Sequence, residues 1–187
     1  ARYLLAAGAF SVGFAAFFGP APAFLEALDY DSATIFGFFI VSNLASAVAF
    51  VPIGRRAGVG DPTVLQLGAL AVRVVLFPAI GFAGLLPALA VRSVGLGVAF
   101  ALVGLTWAVV AVTAAGLVSR RAPDAVRGEA LGLFTALSGL GTGIGGVLGG
   151  WVALSMGYRA AFAVAGLAVL VGTVLVAASG IRAVPDP

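Results

Sequence analysis

The chain has 187 residues, 62% of them hydrophobic and 9% charged, with a mean hydropathy of +1.19 and a formal net charge of +3. A water-soluble domain carries roughly 45–50% apolar and about 25% charged residues, so this composition excludes a soluble globule and defines a polytopic membrane protein. There is no cysteine and no histidine, which removes disulfides, thiol chemistry, zinc sites and imidazole acid–base work.

Proline, glycine and charge divide the chain into six predicted helices, each long enough to cross a hydrocarbon core about 30 Å thick. The first covers residues 3–28 and is interrupted by Gly19-Pro20-Ala21-Pro22. The second covers 33–53, and the third covers 62–81 and contains Pro78. The fourth covers 87–118, the fifth 129–155 and the sixth 159–179. Alternation with a period of two is absent, which argues against a β-barrel. The first run is too long for a leader peptide and no cleavage pattern follows it. With Ala1 rather than Met at its head, the chain reads as a piece of something longer.

Loop charge orients these helices. All ten basic residues are arginine. Arg2, Arg55, Arg56, Arg120, Arg121, Arg127 and Arg182 fall on one side, whereas the other has "DYDSA", the uncharged "GFAGLLP" and Arg159. Positively charged short loops stay in the cytoplasm. Both termini are therefore expected there, as an even number of spans requires, in a multi-pass protein of the cell membrane with a cytoplasmic tail at 180–187. The same arginines account for a pI near 10.2 without nucleic acid as a partner.

The fifth helix carries the densest small-residue pattern, with nine glycines and one charge in residues 128–152. At about 3.6 residues per turn, Gly141, Gly145 and Gly149 form one stripe. Gly139, Gly143, Gly146 and Gly150 form a second beside it, and Leu140, Ile144, Val147, Leu148 and Trp151 share the bulky remainder. Glycine weakens a helix by about 1 kcal/mol in water, but lipid offers the backbone no other hydrogen-bond partner, and small residues let helices approach closely. This helix is expected to lie tightly between two neighbours with its bulky side to lipid. A hinge or unwound site is the competing reading of the same glycines.

The run "APDAVRGEALGLFTALSGLGTGIGGVLGGWVALSMGYRAAFAVAG" resembles the major facilitator superfamily, in particular its carboxyl-terminal six-helix half. Pro123, Arg127-Gly128, Ala130, Gly132, the glycine ladder and Gly157-Tyr158-Arg159 with Phe162 carry the likeness, which is close over the last third and extends to layout elsewhere. The second loop departs from the family's pattern: Gly54 is followed by Arg55-Arg56, the expected acidic position is Gly58, and Asp61 comes late. The resemblance implies a single six-helix half bundle of two inverted three-helix repeats, 3–81 and 87–179. It also implies a second six-helix half, fused or dimeric, and alternating access to a small solute. "GRRAGVG" and "SRRAPDAVRG" echo one another at the ends of inward-running helices, as loop charge alone requires.

In that family the first and fourth helices of each half line the cavity. On the first, Phe10, Phe14, Phe17 and Phe18 surround Gly13; on the fourth stand Thr106, Trp107 and Thr113; on the second, Asn43 lies near mid-depth beside Ser42 and Ser46. Phe14, Phe18, Asn43, Thr106, Trp107 and Arg92 are the candidate substrate-binding residues, suited to an apolar or amphipathic solute with one or two hydrogen bonds. Each also has a plain structural reading as core, lipid-facing or helix-bonded side chain.

Arg73 is the deepest charge, with Gln66 one heptad earlier and no acid at comparable depth. Its partner is a carbonyl, a substrate anion or an acid elsewhere, and a supporting role with a snorkelling side chain is the competing reading. Arg92, near the outer face, is placed to snorkel, to gate or to pair with Glu26. Glu26, Arg55, Arg56, Arg73 and Arg127, with Gly141, Gly145 and Gly149, form the candidate gating or structural set. No acid buried within a helix suggests proton coupling, and no nucleophile–base pair, phosphate loop or metal cage suggests an enzyme or a cofactor. Lipid and a small solute are the expected partners. The rival to a transporter is a non-transporting scaffold or receptor-like membrane protein of the same fold.

Overall fold

The structure is a computed structural model that describes residues 2–179, apart from the Arg121 side chain. Residues 180–187, with Arg182 and the expected cytoplasmic tail, lie outside the described residues. The described residues are helical without a strand, and six segments are long and apolar enough to cross a membrane. The first segment combines α1 (Arg2–Phe18) with α2 (Ala21–Glu26), and the others are α3 (Ser32–Val59), α4 (Pro62–Gly81), α5 (Leu89–Arg121), α6 (Arg127–Met156) and α7 (Tyr158–Ala178).

Local chemistry explains the boundaries. Pro20 and Pro22 have no amide hydrogen, so the helix breaks at Gly19-Pro20 and restarts. Asp31 caps α3 by accepting from the Thr34 N–H at 2.7 Å, and Asp61 caps α4 by accepting from the Thr63 N–H at 2.8 Å. The Thr34 amide hydrogen bond holds the Asp31 carboxyl below its ordinary range. That contribution is present at neutral pH and is lost as pH falls through the depressed value.

Two helices run past the predicted ends. Residues 54–59 form the last turns of α3 rather than a loop, so Arg55 and Arg56 are exposed helical residues. Pro52 sits inside that helix; it removes one ladder bond without ending it. Helix α5 extends through residues 119–121, so the following connection is shorter than expected.

Helix α1 is the most buried span and α6 the least. Helix α1 packs along α6 and α7, α5 packs along α3 and α4, and α4 and α7 pack on each other. Glycine occupies each of these close seams except that between α4 and α5. A Cβ on Gly141, Gly145 or Gly149 would strike the backbone carbonyl of Gly8, Val12 or Ala16 of α1. A Cβ on Gly104 of α5 would strike the Ser42 carbonyl of α3. On α7, Gly172 admits the Phe10 backbone and Gly166 admits Val74 and Pro78. Hydrophobic drive between helices is small in lipid, so backbone approach of this kind supplies the packing.

The second stripe corrects the expectation of two tight neighbours for the fifth helix. Nothing lies within 4 Å of a Cβ placed on Gly139, Gly143, Gly146 or Gly150. The helix therefore has one tight neighbour, α1. Its bulky side is outward as predicted, with Leu140, Ile144, Val147 and Trp151 exposed. The helix stays regular through every one of these glycines.

An aromatic hub ties the bundle together. Phe17 of α1 is fully buried and stacks on Phe77 of α4, with centroids 4.2 Å apart and planes 2° apart. It also meets Phe162 of α7 at 5.0 Å and Phe100 of α5 at 6.4 Å. At the arginine-rich end, Tyr3 and the buried Gln66 side chain hydrogen-bond to each other, and Arg120 donates to the Ala57 carbonyl near the end of α3 at 3.3 Å. Cations at a helix C-terminus satisfy its unpaired carbonyls in this way.

Candidate functional site

A cavity of about 940 Å³ opens between α1, α3, α5 and α6. Its walls follow from the seams: where glycine brings α1 onto α6 and α5 onto α3, the two pairs splay apart and leave a cleft. Phe10, Phe14 and Phe18 come from α1, Ser42, Asn43 and Ser46 from α3, and Trp107 from α5. Helix α6 contributes Phe134, Thr135, Ser138, Gly139, Thr142 and Gly146. Among the described residues no charged side chain lines the space.

Four of the predicted substrate-binding residues meet here. Phe14 and Trp107 form an edge contact at 5.8 Å, Phe18 lies above them on the same helix face, and Asn43 faces them from α3. The Asn43 side-chain amide donates to the Phe39 carbonyl one turn back at 2.8 Å. The amide oxygen is left to accept from a solute.

The other two are placed elsewhere. Thr106 turns away from the cavity, donating to its own helix at Leu102 and accepting from Arg73. Arg92 lies near the opposite end of the bundle from the arginine cluster. There its guanidinium donates to the Leu28 carbonyl at 3.0 Å and to the Tyr30 hydroxyl at 3.3 Å, and Tyr30 in turn meets Ser93. It binds the loop after α2 instead of Glu26, which is exposed. A backbone carbonyl and the hydroxyl of the buried Tyr30 hold a guanidinium with less side-chain ordering than an exposed carboxylate requires.

The hydroxyl ladder of α6 escaped the sequence reading. Thr135, Ser138 and Thr142 fall on one face at helical spacing, and Gly139 and Gly146 leave room beside them. Thr135 and Thr142 donate to the carbonyls of Leu131 and Ser138. Ser138 and, across the cleft, Ser46 have buried hydroxyls without a hydrogen-bond partner. A buried, unsatisfied hydroxyl is destabilising by about 1–3 kcal/mol, so these two are poised for water or solute. The signal was present in the sequence, at the same spacing as the second glycine stripe.

Arg73 corrects the snorkelling expectation. Its side chain is fully buried in the bundle. Nε donates to the Thr106 hydroxyl at 2.9 Å and Nη2 to the Val103 carbonyl at 2.7 Å. The guanidinium carbon lies 4.2 Å from the Phe14 ring centroid, 5.4 Å from Phe77 and 6.0 Å from Trp107. The cation is held by a carbonyl, a hydroxyl and ring faces, and Nη1 has no hydrogen-bond partner. Helix α4 points this residue inward because Gln66, Leu70, Arg73 and Phe77 share its buried face.

The remaining charged candidates lie at the arginine-rich end. Arg127 pairs with Asp124 and donates to the Ser119 carbonyl at 3.2 Å, closing the turn into α6. Gly141, Gly145 and Gly149 form the α1 seam already described. No protein-family model matches the chain, and no curated protein matches it in sequence.

Proposed function

We propose that the chain is a transporter half of the major facilitator type, moving a small solute by alternating access. The observation that carries this reading is the cavity. It has four helical walls, aromatic rings from α1 and α5, hydroxyls from α3 and α6, and it is partly open to the outside. A pocket of this size, mostly apolar with a few convergent polar groups, suits a small amphipathic solute. The open side is where a second six-helix unit, fused or as a separate copy, supplies the missing wall.

The helix neighbours support the inverted repeats. Exchanging α1 with α5, α3 with α6 and α4 with α7 maps the α1–α6 seam onto α5–α3 and the α1–α7 seam onto α5–α4, and leaves α4–α7 in place. Inverted repeats of a transporter are related by such an exchange and meet at the substrate site. With the arginine-rich end in the cytoplasm, both termini lie inside.

The test is counterflow of candidate solutes in proteoliposomes holding the full chain, with Trp107→Ala beside the parent. Accumulation that falls about tenfold or more in the variant supports the reading. If no solute class accumulates while the protein retains its fold and binds a stable protein partner, the scaffold alternative replaces it.

A further inference from the structure

We propose that the solute of this cavity carries one negative charge on an otherwise apolar body, and that Arg73 reads that charge from behind the aromatic wall. The inference rests on the transporter reading of the cavity and names its substrate class.

Three residues that line the cavity also hold the guanidinium: Phe14 and Trp107 by their rings and Val103 by its carbonyl. The charge therefore lies one side chain away from the solute space. No carboxylate offsets it, since the described ion pair joins Arg127 to Asp124 at the bundle's end. A cation without a counter-ion in a low-dielectric interior leaves a positive potential in the adjacent cavity. The walls themselves add no opposing charge, and the described hydroxyls and the Asn43 amide are neutral.

Trp107 lines the cavity, is 45% exposed and touches Phe14 by an edge. Nη1, the one guanidinium nitrogen without a hydrogen-bond partner, is left to answer the charge of a solute. A neutral solute gains none of this, and a cationic one is repelled. Ionisable residues inside a membrane mark substrate and ion pathways.

The test uses the full chain in phosphatidylcholine nanodiscs, in a Trp151→Phe background so that Trp107 alone reports by fluorescence. Matched carboxylates and primary amides, from benzoate and benzamide up to decanoate and decanamide, are titrated in pairs. The inference expects at least one pair in which the carboxylate binds about tenfold more tightly than its amide. Arg73→Met should abolish that preference while retaining amide binding, and Arg73→Lys should keep part of it. A purely structural Arg73 would weaken both members of the pair equally, which would overturn the inference, as would no preference in any pair. If Arg73→Met does not fold, the parent pairs and Arg73→Lys decide the matter. Amides that bind as well as carboxylates sink the anion inference and leave the transporter reading intact. Failure of both members of every pair to bind sinks both. Discs containing phosphatidylglycerol identify the source of the anion: competition assigns it to a lipid headgroup, and its absence to the free solute.

Discussion

Gly145→Ala should break the contact between α1 and α6, whereas Gly143→Ala, half a turn away, should leave it whole. A Cβ on Gly145 meets the Val12 carbonyl, and one on Gly149 meets the backbone of Ala16. Backbone on both sides of a seam cannot rotate aside, so the helices must separate. Overpacking in a tight core costs about 1–3 kcal/mol even where side chains can yield, so this change should reach or exceed that range. At Gly143 nothing lies within 4 Å of the added methyl, and alanine regains helix propensity of up to about 1 kcal/mol. Thermal unfolding in nanodiscs measures both. Equal loss from the two substitutions would contradict the account of the glycine ladder.

Phe17→Ala should be as damaging as any single change in an aromatic residue. The ring is fully buried at the meeting point of α1, α4, α5 and α7, stacked on Phe77 and in contact with Phe100 and Phe162. Truncation removes those contacts and leaves a void the stiff helices cannot collapse, worth about 3–5 kcal/mol. Phe36→Ala is the control, since that ring is 67% exposed on the outer face of α3, and surface changes stay within about 0.5 kcal/mol. Both can be followed by denaturation in mixed micelles. A Phe17→Ala variant as stable as Phe36→Ala would show that the hub does not hold the bundle.

The membrane class, the six spans and the break at Gly19-Pro20 were legible because composition and proline act locally. So was the outward face of α6, because bulk and smallness separate cleanly around its circumference. The partners of each face were not. Two glycine stripes look alike in sequence, yet Gly141, Gly145 and Gly149 meet a backbone while Gly139 and Gly146 line a cavity. The difference arises from where α1 stops and the cleft begins, which is a property of the assembled bundle. Glycine seams at Gly104, Gly166 and Gly172 were missed for a related reason: single small residues carry no periodic signal.

Arg73 shows the same limit at the candidate site. Its depth was visible in the sequence, and so was the lack of a nearby acid. Its inward orientation depends on Thr106, Val103 and Phe14, drawn from two other helices. A snorkelling arginine needs only its own helix; a caged one needs the tertiary fold. The ends of α3 and α5 run past the expected loops because arginine is a good helix former, and the last turns of both helices carry it.

The cavity between α1, α3, α5 and α6 is proposed to hold a solute within the membrane. The chain contains no cysteine, so single cysteines report without background. Asn43→Cys and Thr142→Cys, which line the cleft from α3 and α6, should be modified by a membrane-impermeant maleimide in proteoliposomes. Val147→Cys, on the outward face of α6 at 76% exposure, should be shielded by lipid. Labelling at Val147→Cys with protection at both cleft positions would contradict the account.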